Sequence, residues 1–377
     1  MVFSNGENWK AMRRFTLSTL RDLGRKLIEN KINEESDYLV EKIKSIKRNP
    51  FDAKMILNAS VANIIGAILF GKRMDYEDPK FIRLACLVSD YVRLLGSPMV
   101  TLYNLFPALG FLPGSHKTVM KLVEELYSFI RSRAAENQKH LDENDQRSLI
   151  EAFFLHQKQV KKEGNCVPYF HEKNLLSLVK SLFSAGMETT SSTLRWGLYF
   201  MIKYSDIQEK VQDEISRVIG SAQPHYSHRT EMPYTNAVVH EIQRFADIVP
   251  LSLPHETTCD VNFKGYFIPK RTLIIPLLSS VLRDKTQFDN PEEFSPNNFL
   301  DAEGNFVKKE AFMAFSAGRR VCAGETLAWM ELFIFFTSLL QKFSFRPPPG
   351  VTHIDLTGVT GLTIAPEQNM ICAFPRT

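Results

Sequence analysis

From residue 9 to about residue 159, apolar side chains recur at three- to four-residue spacing, first as Leu27, Ile32, Leu39, Val40 and Ile43, then as Ile56, Val61, Ile64, Ile65 and Ile68. That spacing lines one face of an α-helix, so this half of the chain is expected to be helical, starting with an amphipathic helix over residues 9–26. Turns are expected at Asn49-Pro50, Asp78-Pro79 and Leu112-Pro113-Gly114. Residues 134–148 are polar and charged and read as an exposed helix end and loop. A long apolar helix is predicted over 172–203, then helices over about 207–219 and 234–245, the last stopping before Pro250. Between 260 and 276 the pattern changes to short β-rich runs, 261–263, 266–268 and 272–275, broken by Gly265 and Pro269. A helix over 326–343 follows Cys322, and 345–374 returns to short strands and turns. The pattern predicts a mainly α protein with small β-sheets (α+β), without internal repeats, in one large domain or two ordinary ones.

Composition narrows this picture. At 377 residues with 44% apolar and 11% aromatic side chains, the chain is long enough to bury a large core. Its five cysteines (Cys86, Cys166, Cys259, Cys322 and Cys372) are odd in number and scattered, with no C-x-x-C pair. This argues against a disulfide framework or zinc cluster and for a reducing compartment. The net charge of +4 is mild and no long basic run occurs, so nucleic acid is not implied. Residues 1–26 are locally basic, with Lys10, Arg13, Arg14, Arg21, Arg25 and Lys26 against Glu7 and Asp22. No run reaches the ~18 consecutive apolar residues of a membrane span, and residues 1–15 lack the basic-then-apolar order of a signal peptide. Neither anchor nor address is expected within these residues.

The strongest chemical signal is Phe315-x-x-Gly318-x-Arg320-x-Cys322-x-Gly324, directly ahead of the helix that starts near Glu325. A cysteine at a helix N-terminus with arginines close by sits where N–H groups and positive charge favour the thiolate, the anionic axial ligand a haem iron takes. Gly318 permits a tight turn, and Gly324 has no Cβ to collide with a flat macrocycle. Phe315 can shield the sulfur, and Arg320 can neutralise a propionate. An isolated buried cysteine is ordinarily a small hydrophobe; the five-position pattern overrides that reading.

Other patterns are weaker alone. Glu241-x-x-Arg244 puts carboxylate and guanidinium on one helix face, which is usually a surface pair of little consequence. Ala185-Gly186-Met187-Glu188-Thr189-Thr190 interrupts an apolar helix with residues that cost helix stability, and on its own reads as a core helix with a back-bonded threonine. Trp9-x-x-x-Arg13 places both side chains on one face. His255, after Pro254, is by default a packing residue.

Taken in order, these motifs resemble the cytochrome P-450 family, the cysteine loop at every defining position and the similarity running from Gly6 to Phe374. The Gly6, Trp9, Arg13-Arg14-Phe15 opening, Phe70-Gly71 with Asp75-Tyr76, and Phe299-Leu300-Asp301 look like its vertebrate microsomal, second-family-like branch, which oxidises xenobiotics, fatty acids and steroids. The resemblance implies a haem-thiolate monooxygenase with haem b (iron protoporphyrin IX) on the Cys322 thiolate, O2 as oxidant, and electrons from NADPH. It places Cys322 as metal ligand, with Trp9, Arg13, Ala185, His255, Phe315, Gly318, Arg320 and Gly324 around the cofactor. Thr189 and Glu188 are expected to manage protons, with Gly186 making room for oxygen. Substrate is expected at Phe183, Ala185, Val249 to Ser252 (Leu251 among them), and the turn 359–362 with Leu362, and it is expected to be lipophilic.

In that family Glu241 and Arg244 form a buried pair that locks the cysteine loop, joined by a basic residue from Phe294-x-Pro296-x-x-Phe299. Here that position is Asn298, a departure expected to lower stability or haem retention without changing the reaction. The implied partners are NADPH-cytochrome P-450 reductase, docking where Lys10, Arg14 and Arg21 form a cationic surface, and cytochrome b5. The implied location of the full-length protein is the cytoplasmic face of the endoplasmic reticulum membrane. Relative to the family, the N-terminal anchor helix, hinge, first strands and distal loop are expected to be missing from these residues. Two rivals follow: a peroxide-rearranging isomerase that needs no reductase, against which the Glu188-Thr189 pair argues, and a truncated scaffold that binds haem poorly.

Overall fold

The computed structural model describes residues 2, 4–142, 146–162 and 168–376. Cys166 and part of the polar stretch 134–148 lie outside these, and the other four cysteines are free thiols. The first helix is shorter than its apolar pattern predicts. α1 (Gly6–Asp22) stops where Gly24 adopts a φ of 81°, a left-handed conformation that glycine takes without strain, and α2 (Arg25–Ser45) starts directly after it.

β1 (Phe51–Asp52) leads into α3 (Ala53–Phe70), where the Asp52 carboxylate accepts the Lys54 N–H at 2.9 Å as a cap. α3 is long and apolar enough to cross a membrane, yet 83% of it is buried inside the fold, as expected of a core helix. Its polar Asn63 escaped a run-based search and is satisfied internally, exchanging two 2.9 Å hydrogen bonds with the Met74 backbone. α4 (Pro79–Leu95), α5 (Pro98–Leu105), α6 (Ser115–Lys139) and α7 (Leu149–Lys162) follow.

α8 (Glu172–Lys203) coincides with the predicted long helix and is the axis of the molecule, packing on α3, α4, α6 and α7. α9 (Ser205–Val218), α10 (Pro233–Ala246) and α12 (Glu325–Lys342) pack on it too, while the one-turn α11 (Leu278–Leu282) lies between the strands and the cysteine loop in sequence. Two apolar cores meet along α8. Leu175 to Met187 belong to one, with α4, α6 and α7; Leu194 to Met201 belong to the other, with α2, α9, α10 and α12. The junction falls on the polar run Glu188-Thr189-Thr190-Ser191-Ser192-Thr193, so the helix changes chemistry where the cores part.

The strands are short and antiparallel. β2 (His255–Glu256) pairs with β5 (Leu273–Ile274), β3 (Val261–Phe263) with β4 (Tyr266–Ile268), and β7 (Gly358–Thr360) with β8 (Ile364–Pro366). A three-stranded sheet of order β1, β9 (Met370–Pro375), β6 (Phe343–Arg346) closes the C-terminus. Phe263, Tyr266, Phe267 and Ile275 are at least half exposed, so the middle sheets present apolar side chains to solvent. The fold is mainly α with small β-sheets, as the sequence pattern predicts.

Candidate functional site

The cysteine loop is built by backbone conformation. Ser316 (φ 63°) and Gly318 (φ 71°) take left-handed turns, and the Cys322 N–H donates to the Phe315 carbonyl at 3.0 Å, closing the loop. Ala328 N–H bonds the Gly324 carbonyl at 2.8 Å, so α12 begins three residues after the cysteine, with Gly324 as its N-cap. A Cβ at Gly324 would meet only the Cys322 Sγ, at 3.9 Å, which leaves the space beside the sulfur clear. Phe315 packs on Trp329 (5.5 Å between centroids), and Trp329 stacks on His240 (4.2 Å, 28°), forming an aromatic floor under the loop.

Cys322 is exposed on the chain's surface, yet enough protein surrounds its sulfur for desolvation to dominate. Burial pushes the thiol up, and the Gly324 and Glu325 N–H groups and the Arg13 charge only partly offset it. Against the expected help from the helix end and the arginine stands a desolvation cost that the sequence does not show. Those groups act in the expected direction, but the cost of burying the anion outweighs them. A metal bound to this sulfur would favour its thiolate form.

Trp9, Arg13 and Arg320 come together beside this loop. Arg320 lies 4.0 Å and Arg13 5.7 Å from the Trp9 ring centre. Arg13 Nη2 donates to the Val321 carbonyl at 2.8 Å, and Arg320 Nη2 to the Ser4 carbonyl at 3.0 Å. Among the described residues neither arginine has a carboxylate within ion-pair distance. Burial and the like charge of Arg13 hold the Arg320 guanidinium below its ordinary value.

Glu241 and Arg244 behave differently. Both are fully buried, and Arg244 grips both carboxylate oxygens at 2.7 Å. Its remaining donors reach the carbonyls of Leu282, Pro291 and Glu293 at 2.9 to 3.0 Å, so the guanidinium is saturated. Ser295 N–H adds a 2.8 Å bond to Glu241. Asn298 occupies the third place as an amide, donating to Glu241 at 3.4 Å and accepting from the Asp289 N–H at 3.0 Å.

On α8, Ala185 is exposed and Thr189 half-buried in the middle of an otherwise buried helix, so this stretch opens to one side. The Thr189 hydroxyl donates to the Ala185 carbonyl at 2.7 Å. Glu188 is buried and accepts from Ser89 of α4 at 2.7 Å and from Ser192 at 3.4 Å. Gly186 and Phe183 both face the neighbouring α3. A Cβ at Gly186 would strike Ile65 of α3 at 2.6 Å, so this glycine lets α3 and α8 pack closely. Phe183 is 3% exposed with its ring 6.0 Å from Phe70, inside the α3–α8 core and away from the open stretch.

Of the remaining expected residues, His255 lies in β2, paired with Ile274 and half-buried. Val249 is half-buried and Leu251 53% exposed. The Leu362 N–H reaches the Val92 carbonyl of α4 at 3.4 Å, which sets the 359–362 turn against that helix. Of the cationic surface, Lys10 pairs with Glu7 at 2.6 Å and Arg21 with Asp22 at 3.7 Å, while Arg14 is exposed. Among the buried ionisable groups that escaped sequence reading are Glu331 and Lys180. Glu331 of α12 is 1% exposed, bonds Thr190 of α8, and is pushed well above the carboxylate range by burial. Lys180 of α8 is 8% exposed. The signal for each was a single charge inside an apolar run, Met330-Glu331-Leu332 and Leu178-Val179-Lys180.

These residues fit a haem. An accessible sulfur at a helix start has clear space at Gly324, two arginines without carboxylate partners suit its acidic side chains, and an open face of α8 offers a second wall. Comparison with known proteins agrees. The profile of the family described as Cytochrome P-450 matches residues 1–373. The chain is 47% identical over 380 residues to cytochrome P-450 2K6 of Danio rerio, covering all of this chain and 75% of that protein. It is 46% identical over 384 residues to cytochrome P-450 2K1 of Oncorhynchus mykiss, with the same coverage, and 45% over 380 residues to cytochrome P-450 2C41 of Canis lupus familiaris, covering 77% of it. The loop, the buried ion pair beneath it and a match along nearly the whole sequence lead to one conclusion: the chain belongs to the cytochrome P-450 family of haem-thiolate monooxygenases.

Proposed function

We propose that this protein, as one haem-binding domain, inserts one atom of O2 into a lipophilic organic substrate, using NADPH electrons delivered by a flavoprotein reductase. The observation that carries this reading is the Cys322 loop, with its sulfur accessible at the start of α12 and the uncompensated Arg13 and Arg320 beside it. Bound haem supplies the oxygen-activating redox chemistry. The chain's own residues do the rest. Cys322 provides an anionic ligand, and Phe315 with Trp329 keeps water from one side of it. Trp9, Arg13 and Arg320 hold the cofactor's carboxylates, and His255 contributes from β2. Glu188, connected through Ser89 to Asn58, forms a buried polar relay next to the Thr189 hydroxyl, suited to moving protons toward the open face of α8. Val249, Leu251 and Leu362 offer apolar contact to the substrate.

Redox partners, cytochrome b5 among them, would approach the exposed Arg14 side of α1. The location proposed for the protein is the endoplasmic reticulum membrane. The reading is tested by mixing haem-loaded protein with reductase, NADPH and a lipophilic substrate. NADPH oxidation coupled to a hydroxylated product, and lost without reductase, is the expected result. Isomerised product formed from an organic hydroperoxide alone, with no NADPH-dependent hydroxylation, would overturn it in favour of a peroxide isomerase.

A further inference from the structure

We infer that Gly96, at the end of α4, is a positioning residue for the substrate wall: by touching the 359–362 turn backbone to backbone, it keeps that wall closed and makes the site prefer slender lipophiles to branched ones. This rests on the monooxygenase reading and deepens it by naming the shape of the substrate. A Cβ at Gly96 would run into the Gly361 carbonyl group and the Leu362 N–H. A Cβ at Gly361 would in turn stand 3.0 Å from the Arg93 Cα and 3.1 Å from its carbonyl oxygen. Among the described glycines these are the two closest approaches to the backbone of another segment, and both lie at one crossing.

The crossing demands glycine for space and not for conformation. Gly96 has φ −83° and ψ 1°, angles that L-residues adopt, and neither glycine takes a left-handed φ. Alanine at position 96 would therefore keep the local backbone and could be accommodated only by moving the turn away from α4. A side chain in the way could change rotamer, but the group in the way here is backbone. The Leu362 N–H meets the Val92 carbonyl at 3.4 Å, a long bond, so steric contact and not hydrogen bonding sets the spacing.

The turn gathers the segments expected to line the substrate side. The Ile364 N–H donates to the Ile248 carbonyl at 2.8 Å, next to Val249, and the Trp196 indole of α8 donates to the Ile364 carbonyl at 3.1 Å. Leu362 packs on the apolar core that α4 shares with Phe183 and Met187 of α8. About two helical turns before Gly96, Ser89 bonds Glu188, so the same helix reaches the polar relay beside Thr189. The hairpin of β7 and β8 thus ties α4, α8 and the segment after α10 together. A displaced turn would carry Leu362 with it and open a gap beside α4. A branched hydrocarbon needs such a gap, and an unbranched chain does not.

The test is equilibrium dialysis of the purified, haem-loaded full chain with labelled n-butylbenzene and its isomer tert-butylbenzene, which match in composition and differ in girth. Wild type should bind the linear isomer at least about threefold more tightly, and Gly96→Ala should shift the ratio of the two affinities about tenfold toward the branched one. Gly361→Ala, whose Cβ presses less closely on its neighbours, should shift the ratio the same way by a smaller factor, and it carries the test if Gly96→Ala does not fold. Gly197→Ala is the structural control. Its Cβ would press on Ile242 at 3.1 Å, between α8 and α10, and it should leave the ratio unchanged even where it lowers the melting temperature. An unchanged ratio in folded Gly96→Ala, or in Gly361→Ala where Gly96→Ala does not fold, would overturn the proposal. So would an equal loss for both isomers, or a like shift in Gly197→Ala. Dialysis needs no turnover, so the shift in protein with neither a thiolate-type carbon monoxide band nor NADPH-dependent hydroxylation would sink the monooxygenase reading and leave the role of Gly96 standing.

Discussion

Arg244 and Arg320 carry the same guanidinium and meet opposite surroundings. Arg244 is wholly buried, clamps Glu241 with two 2.7 Å bonds and spends its other donors on three carbonyls. Arg320 is half-buried, lies on the Trp9 ring near a second cation, and bonds one carbonyl. An arginine saturated within the chain has nothing left to offer a ligand and serves as framework. An arginine whose positive charge the chain leaves unanswered is available to an anion. The contrast separates scaffold from binding site by the same residue type, with burial and partners as the criterion.

Removing Glu241 should have the largest effect, because it strands a buried charge. Glu241→Ala should cost about 3–5 kcal/mol in urea unfolding, whereas Arg320→Ala should shift the same transition of haem-free protein by less than about 0.5 kcal/mol. Equal costs would break the comparison.

His240, beneath the loop on the scaffold side, sharpens it through pH. Burial pulls His240 down to about 3, against about 6.5 in an unfolded chain, so the fold holds it neutral. The unfolded state binds the extra proton between those values. Stability is therefore fully present above about pH 6.5 and falls as pH drops toward 3, by on the order of 5 kcal/mol. His240→Phe should flatten that acid limb; an unchanged slope in unfolding measured across the window would show that another group carries it.

On the binding side, Arg13→Ala and Arg320→Ala should each weaken haem retention about tenfold, as expected for loss of a charge-assisted contact, measured by transfer of haem to apomyoglobin. The smallest change is Asn298→Ala. It leaves the Asp289 N–H and one Glu241 oxygen short of a partner and should lower stability by about 1 kcal/mol with little change in haem affinity.

Much of this was legible in the residues. The long stretch of mostly apolar residues from 172 to 203 marked α8 to its ends, because a largely buried helix is apolar along most of its length. The pattern Phe315 to Gly324 marked the loop because turn, ligand and helix start are all local. What escaped depended on long-range packing. Gly24 ends α1 by its own φ, which periodicity cannot register. Gly186 and Phe183 lie on the face of α8 that α3 covers, and which face a neighbour takes is not written in the helix itself. The Cys322 thiol also feels burial, a property of the surrounding fold that opposes the local N–H groups and Arg13 charge visible in sequence. Lys180 and Glu331 were visible only as isolated charges in apolar runs, and their significance depends on what packs around them.

The central claim, that Cys322 is the anionic ligand of a haem iron, is tested most directly by the Soret band of the haem-loaded, reduced protein under carbon monoxide, recorded for wild type and Cys322→Ala. The account predicts a strongly red-shifted, thiolate-type band in wild type and its loss in the variant. A thiolate-type band surviving in Cys322→Ala, or a wild-type band typical of a neutral ligand, would contradict it.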